Sequence, residues 1–176
     1  MLGDVLISES EIAGAVTDLA SRIGRDYDLS DLVLVGAMDG AVCFLADLMR
    51  AFAGPVDVTT ARMRRYNGSE AGQVRVTWLP LRDRIQGRDV LIVEGIVDTG
   101  ETCALLGQRL SDLGAQSVRV CALLDKPSRR ANEVRTAYRG FDVPDVFVVG
   151  YGMDYDGAYR NLRDVHVLER DGSVVS

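Results

Sequence analysis

Hydrophobic positions along this chain alternate between two rhythms. Ser8-Glu9-Ser10-Glu11 has the spacing of a helix capping box, and Ile12, Val16, Leu19 and Ile23 then recur at helical intervals. This predicts an opening amphipathic helix. Leu32-Val33-Leu34-Val35-Gly36 is instead an unbroken apolar run closed by glycine, as expected of a strand buried on both faces. Leu45, Leu48, Met49 and Phe52 predict a helix ending near Gly54-Pro55, and the β-branched residues between Val56 and Met63 predict another strand. The polar, charged and glycine-containing stretch from Arg64 to Gly72 reads as a mobile loop. Asp89-Val90-Leu91-Ile92-Val93 is a second buried strand. Helical spacing resumes from Thr102 through Leu105, Leu106, Leu110 and Leu113 until Gly114 stops it. Val118 to Leu124, Val146 to Val149 and Val165 to Leu168 complete the strands. Strands alternating with helices predict an α/β protein built on a mainly parallel sheet.

Length narrows this picture: 176 residues suit one domain spanning positions 1–176, with a core that needs neither disulfides nor a structural metal. A formal net charge of −6 with dispersed acidic residues argues against a nucleic-acid partner. Loop amides can still bind an anionic small molecule. Cys43, Cys103 and Cys121 lie apart in apolar or helical segments and read as reduced core thiols. No apolar run reaches the roughly 20 residues that cross a bilayer, and the first ten residues lack the regions of a secretory signal. The expectation is a cytoplasmic protein without a membrane partner.

Chemistry concentrates between residues 90 and 102. The run Val90-Leu91-Ile92-Val93-Glu94-Gly95-Ile96-Val97-Asp98-Thr99-Gly100-Glu101-Thr102 sets acids, hydroxyls and glycines where a strand ends and a helix begins, the place where open α/β sheets bind ligands. Gly100 permits a tight turn, Thr99 and Thr102 offer hydroxyls, and the unpaired amides of a first helical turn favour phosphate. A bare helix cap with a turn glycine would explain Asp98-Thr99-Gly100 alone. It would not explain the long strand and Glu94 before it.

This stretch resembles the phosphoribosyl-pyrophosphate motif of type I phosphoribosyltransferases, and the resemblance runs from about residue 32 to 168. Leu123-Leu124-Asp125-Lys126-Pro127 is similar to the segment in which hypoxanthine-guanine phosphoribosyltransferases set a lysine against the purine's exocyclic oxygen. Phe147-Val148-Val149-Gly150-Tyr151-Gly152-Met153-Asp154-Tyr155, with Arg160 beyond it, is similar to their base-stacking and metal-binding segment. The fold implied is a twisted, mainly parallel sheet flanked by helices, with a small hood and a flexible loop. The activity implied is magnesium-dependent transfer of ribose 5-phosphate from phosphoribosyl pyrophosphate to a 6-oxopurine, in a homodimer or homotetramer. Asp98 would then accept the purine's proton, Thr99, Gly100, Glu101 and Thr102 would cradle the 5-phosphate, and Glu94 would hold a ribose hydroxyl directly or through magnesium. Lys126, Phe147, Val148 and Asp154 would bind the base, Asp154 and Glu94 the metal, and Asp39, Gly40, Arg65, Tyr66 and Arg160 the pyrophosphate. Lys126 is the chain's single lysine among 20 basic residues. A compact ammonium can point at one oxygen where a guanidinium forks; the competing reading is an ordinary surface lysine. Phe147 could equally be core, the usual fate of an aromatic in a β run.

Three positions depart from the family pattern. Gly95 follows Glu94 where an aspartate is usual, Asp39 stands where a lysine commonly precedes the glycine, and Arg65 replaces the serine before the loop tyrosine. Arg65 would return to the pyrophosphate the positive charge that Asp39 removes. The departures leave two other readings open: transfer to a purine analogue such as a deazapurine, or a catalytically impaired nucleotide-binding or regulatory paralogue.

Overall fold

The computed structural model describes residues 1–65, 72, 74–170 and 173–174. In chain order the elements are β1 (Leu2–Ile7), α1 (Glu9–Asp26), β2 (Leu32–Met38), α2 (Val42–Ala51), β3 (Asp57–Arg65), β4 (Val74–Trp78) and β5 (Asp89–Val97). After these come α3 (Glu101–Asp112), β6 (Ser117–Asp125), β7 (Thr136–Asp142), β8 (Val148–Val149), β9 (Val165–Arg170) and β10 (Ser173–Val174). The main sheet has the order β4-β3-β2-β5-β6-β7. All its pairings are parallel except that of β3 with β4. A smaller antiparallel sheet joins β1, β8 and β10 to β9 and forms the expected hood.

Apolar residues enter this architecture on both faces of the sheet. Leu32, Leu34, Leu91, Val93, Cys121 and Leu123 point into a core completed by α1, α2 and hood residues such as Val148 and Val165. Val33, Val35, Val90, Ile92, Val120 and Ala122 point into a second core under Leu106 and Leu110 of α3. Alternation thus divides most of three central strands between two cores, and each fully buried Leu or Ile contributes roughly 1.5–3 kcal/mol. Helix α1 begins at the capping box read in the sequence: the Ser8 hydroxyl accepts from the Glu11 amide, and the Glu11 carboxylate accepts from the Ser8 amide.

Two expectations need correction. Arg64 and Arg65 do not begin a loop but extend β3, pairing with Arg75 and Val74. Their polar side chains were misleading, because this end of the strand is exposed. Residues 66–71 and 73 lie outside the described residues, and Tyr66 with them. The strand expected at Val146–Val149 shrinks to Val148–Val149, because the amide of Val146 turns back to the Pro144 carbonyl.

The parallel strands β2, β5 and β6 end together at Met38, Val97 and Asp125. One close packing sets the spacing of the loops that follow. The carbonyl of Gly40 is pinched between Gly95 of β5 and Gly152, where a Cβ would stand 2.8 Å and 2.7 Å from its oxygen. Gly150, Tyr151 and Gly152 all have positive φ, a conformation uncommon for a tyrosine. The buried Tyr151 ring is tethered by its hydroxyl, which donates to Asp47 of α2 at 2.6 Å.

Gly152→Ala should therefore cost about 2–4 kcal/mol, combining overpacking with left-handed strain. Gly14→Ala, on the exposed face of α1 with nothing within 4 Å, should stabilise by up to about 1 kcal/mol. Urea denaturation of the two variants checks both signs.

Candidate active site

The loop Asp98-Thr99-Gly100 leaves the sheet at the end of β5 and turns into α3 through Gly100, whose φ is +83°. No side chain caps this helix. The Thr99 hydroxyl lies 3.4 Å from the Glu101 amide, at the long limit of a hydrogen bond. The loop is braced from outside by residues 126–132. The amide of Lys126 donates to the Val97 carbonyl at 3.0 Å. The Thr99 carbonyl accepts from the amides of Ala131 and Asn132 at 3.0 and 3.2 Å, and from Asn132 Nδ2 at 3.3 Å. Arg130 ion-pairs with buried Asp125 and packs over Gly100, whose missing Cβ would meet Arg130 Cδ at 3.1 Å.

On one side of this loop a cavity of about 210 Å³ gathers Met38, Gly40, Arg65, Glu94, Ile96 and Thr102. Four site residues predicted from separate segments therefore line one space. Glu94 is 8% exposed, and among the described residues its carboxylate accepts only the amide of Gly95, at 3.1 Å. Burial raises its pKa from 4.5 to about 8, so near neutrality it is largely protonated and can donate as well as accept. Asp39, between Met38 and Gly40 of the cavity wall, is ion-paired by Arg62. Arg65 binds Glu101 at 2.7 Å and also donates to the Gly72 carbonyl.

On the other side a chain of charges runs toward the hood. Lys126 is buried, which excludes the surface-lysine reading, and its Nζ lies 3.7 Å from Asp145. Asp145 accepts from Arg129 at 3.2 Å, and Arg129 Nε donates to Asp98 at 2.9 Å. Phe147 lies outside both cores and meets Tyr155 edge-on with centroids 5.7 Å apart. Val148 directs its side chain into the first core, leaving only its backbone for a ligand. Asp154 pairs with Arg160 at 2.8 Å and accepts from the Gly157 amide at 2.7 Å, while Arg160 also donates to the Gly152 carbonyl at 2.6 Å. Arg62, Arg129 and Asp145 were not found by sequence reading. Their only signal was proximity in sequence to Arg65, Lys126 and Phe147.

A parallel sheet with this loop at its carboxyl end and a hood above it defines a phosphoribosyltransferase. The family model for the phosphoribosyl transferase domain matches residues 6–156. Hypoxanthine-guanine phosphoribosyltransferase of Mycobacterium tuberculosis (strain ATCC 25618 / H37Rv) is 41% identical over 172 residues, covering 94% of this chain and 85% of its own. That of Bacillus subtilis (strain 168) is 36% identical over 167 residues, covering 94% and 92%. A crystal structure of a hypoxanthine-guanine phosphoribosyltransferase from Bacillus anthracis superimposes with a TM-score of 0.88 at 32% identity, covering 96% of this chain and all of that one. The chain belongs to the hypoxanthine-guanine phosphoribosyltransferase family and is a transferase of that type. Among the described residues, no helix is long and apolar enough to cross a membrane.

Glu94 makes stability depend on pH. Because its folded-state pKa of about 8 exceeds the ordinary 4.5, the folded protein keeps a proton that the unfolded chain releases. Its contribution to stability falls as pH rises from about 5 to about 8 and then levels. Glu94→Gln should flatten that decline and be more stable than the parent at pH 8, as read by urea midpoints at pH 5, 6.5 and 8.

Proposed function

We propose that this enzyme transfers ribose 5-phosphate from phosphoribosyl pyrophosphate to hypoxanthine or guanine, giving a purine nucleotide and pyrophosphate. The observation that carries the proposal is the convergence of Gly40, Arg65, Glu94 and Thr102 on one cavity beside the Asp98–Gly100 loop, with buried Lys126 on the loop's other side. The same activity is named in the relatives of Mycobacterium tuberculosis and Bacillus subtilis.

In this reading the first-turn amides of α3, with Thr99, Gly100, Glu101 and Thr102, hold the 5-phosphate. Glu94, protonated by burial, offers a ribose hydroxyl both a donor and an acceptor. Lys126 donates to the purine's exocyclic oxygen, Phe147 presents its ring to the purine face, and Val148 offers backbone groups to its edge. Asp98 takes the proton released from the purine's imidazole ring as the new glycosidic bond forms. Arg65, Arg160 and Gly40 face the leaving pyrophosphate, while Arg62 neutralises Asp39 beside it.

Among the described residues, no three metal-ligating side chains cluster. Magnesium usually takes one or two carboxylates and completes its shell with water and substrate phosphate oxygens. Asp154 would hold it, joined by Glu94 once the ion displaces its proton, and when bound it would neutralise charge growing on the pyrophosphate. A cytoplasmic homodimer or homotetramer belongs to the same proposal.

Gly95 favours a second reading, a specialised transferase acting on a purine analogue or turning over slowly, because the Gly40 carbonyl leaves no room there for a ribose-binding acid. The test is pyrophosphate release with magnesium, phosphoribosyl pyrophosphate and a panel of hypoxanthine, guanine, xanthine, adenine and 7-deazapurines. Turnover with hypoxanthine or guanine is expected. Turnover only with an analogue supports the specialised reading, and silence refutes both in favour of a binding protein. Asp98→Asn should lower kcat at least about a hundredfold, and Lys126→Ala should raise KM for the base. Arg65→Ser should raise KM for phosphoribosyl pyrophosphate; an unchanged value would remove Arg65 from the pyrophosphate subsite.

A further inference from the structure

Two residues without a place in the scheme above, Arg129 and Asp145, touch both groups assigned to the purine. They come from different segments. Arg129 ends the 3₁₀ turn Pro127–Arg129, in which its amide donates to the Lys126 carbonyl at 3.1 Å. Asp145 lies in the connection between β7 and β8, two residues before Phe147.

The turn is held as a rigid arm. Lys126 at its root is tied to Val97, and Ala131 and Asn132 beyond it are tied to Thr99. Within the arm the adjacent arginines separate. Arg130 turns inward to Asp125, with only 17% of its side chain exposed. Arg129 turns outward to Asp98 and Asp145, with 38% exposed. Burial and packing over Gly100 explain Arg130. No core contact explains the direction of Arg129.

The resulting sequence of groups is Lys126, Asp145, Arg129, Asp98, alternating in sign. Arg129 Nε holds Asp98 by Oδ1. Among the described residues no hydrogen bond reaches Asp98 Oδ2, so one carboxylate oxygen is fixed and the other is left to a ligand. Asp145 holds Arg129 by Oδ2 and faces the Lys126 ammonium with Oδ1. At 3.7 Å this last contact is an ion pair, too long for a strong hydrogen bond, so the ammonium keeps donors for another acceptor.

We propose that Asp145 and Arg129 are positioning residues that tie the lysine reading the purine 6-oxygen to the carboxylate taking the imidazole proton, making preference for 6-oxo over 6-amino purines a property of the linked chain. The proposal rests on the roles given above to Lys126 and Asp98. A purine with an oxygen at C6 completes the alternation, accepting from Lys126 at one end and donating its ring N–H to Asp98 at the other. A 6-amino purine presents a donor to an ammonium and breaks it. Removing Asp145 frees Lys126 and Arg129 together, and removing Arg129 lets Asp98 rotate.

The experiment compares Asp145→Asn, Arg129→Gln, Arg129→Lys and the double variant Arg129→Gln/Asp145→Asn in the full chain. Steady-state kinetics are measured for hypoxanthine, adenine and phosphoribosyl pyrophosphate, with thermal midpoints as a control. Asp145→Asn should raise KM for hypoxanthine and lower the hypoxanthine-to-adenine ratio of kcat/KM, each by roughly ten- to a hundredfold, the scale of one hydrogen bond to a charged group. KM for phosphoribosyl pyrophosphate should stay within about twofold of the parent. Arg129→Gln should lower kcat/KM for hypoxanthine on the same scale, and Arg129→Lys should restore part of it. The double variant should cost no more than the worse single change, because the groups act as one unit.

Unaltered hypoxanthine kinetics in both single variants would overturn the proposal. So would equal losses for both substrates with a lowered thermal midpoint, the mark of a purely structural pair. Asp98→Asn and Lys126→Ala in the same panel separate the two levels. If they too leave base use intact, the assigned purine site is wrong; if they impair it while the Arg129 and Asp145 variants do not, only the linkage is wrong.

Discussion

The Gly40 carbonyl is the point on which the ligand-binding end of this enzyme is built. It touches β5 near its carboxyl end on one side and the left-handed turn at Gly152 on the other, so that the β2–α2 loop, the strand carrying Glu94 and the turn before Asp154 share one contact. Backbone packed on backbone cannot yield as a side chain can. Distances between the cavity and the hood therefore follow from two missing Cβ atoms. The absence of an acid at position 95 then has a structural meaning: the space a side chain would need is already filled by the loop opposite.

Charge is arranged around that frame by local compensation. Asp39 meets Arg62, Glu101 meets Arg65, Asp98 meets Arg129, and Asp154 meets Arg160. These pairs are at least about one-third exposed at one partner or both and contribute little to folding. Their effect is on the ligand, which meets acids and arginines already engaged and binds by exchanging partners. Glu94 is the exception, since burial with no cationic partner among the described residues keeps it neutral instead.

Much of this was legible in the sequence because it depends on spacing. The apolar runs at Leu32 and Val90 have no polar face, and only a sheet covered on both sides accommodates them. The Asp98-Thr99-Gly100 turn was legible because a glycine is needed at φ +83°. Edge strands were not. β4, β7 and β1 carry mixed polar and apolar residues, since one side or end of each faces solvent, and their apolar signal sinks to that of a loop. Ion-pair partners were illegible for a different reason. Arg62 and Asp39 are 23 residues apart, as Asp98 and Arg129 are 31 apart, and 19 arginines offer too many candidates for spacing to choose among.

The three donors gathered on the Thr99 carbonyl have a consequence for the opposite end of the same peptide group. In a trans peptide the C=O and the next N–H point in opposite directions. Fastening the Thr99 oxygen to Ala131 and Asn132 therefore aims the Gly100 N–H away from the 126–132 arm. Two of the three fastenings are main-chain amides, which every residue but proline supplies. The aim of that N–H is consequently indifferent to most side-chain changes at 131, and alanine scanning would pass over it. Position 131 is free to drift in sequence while the direction of a buried peptide stays inherited.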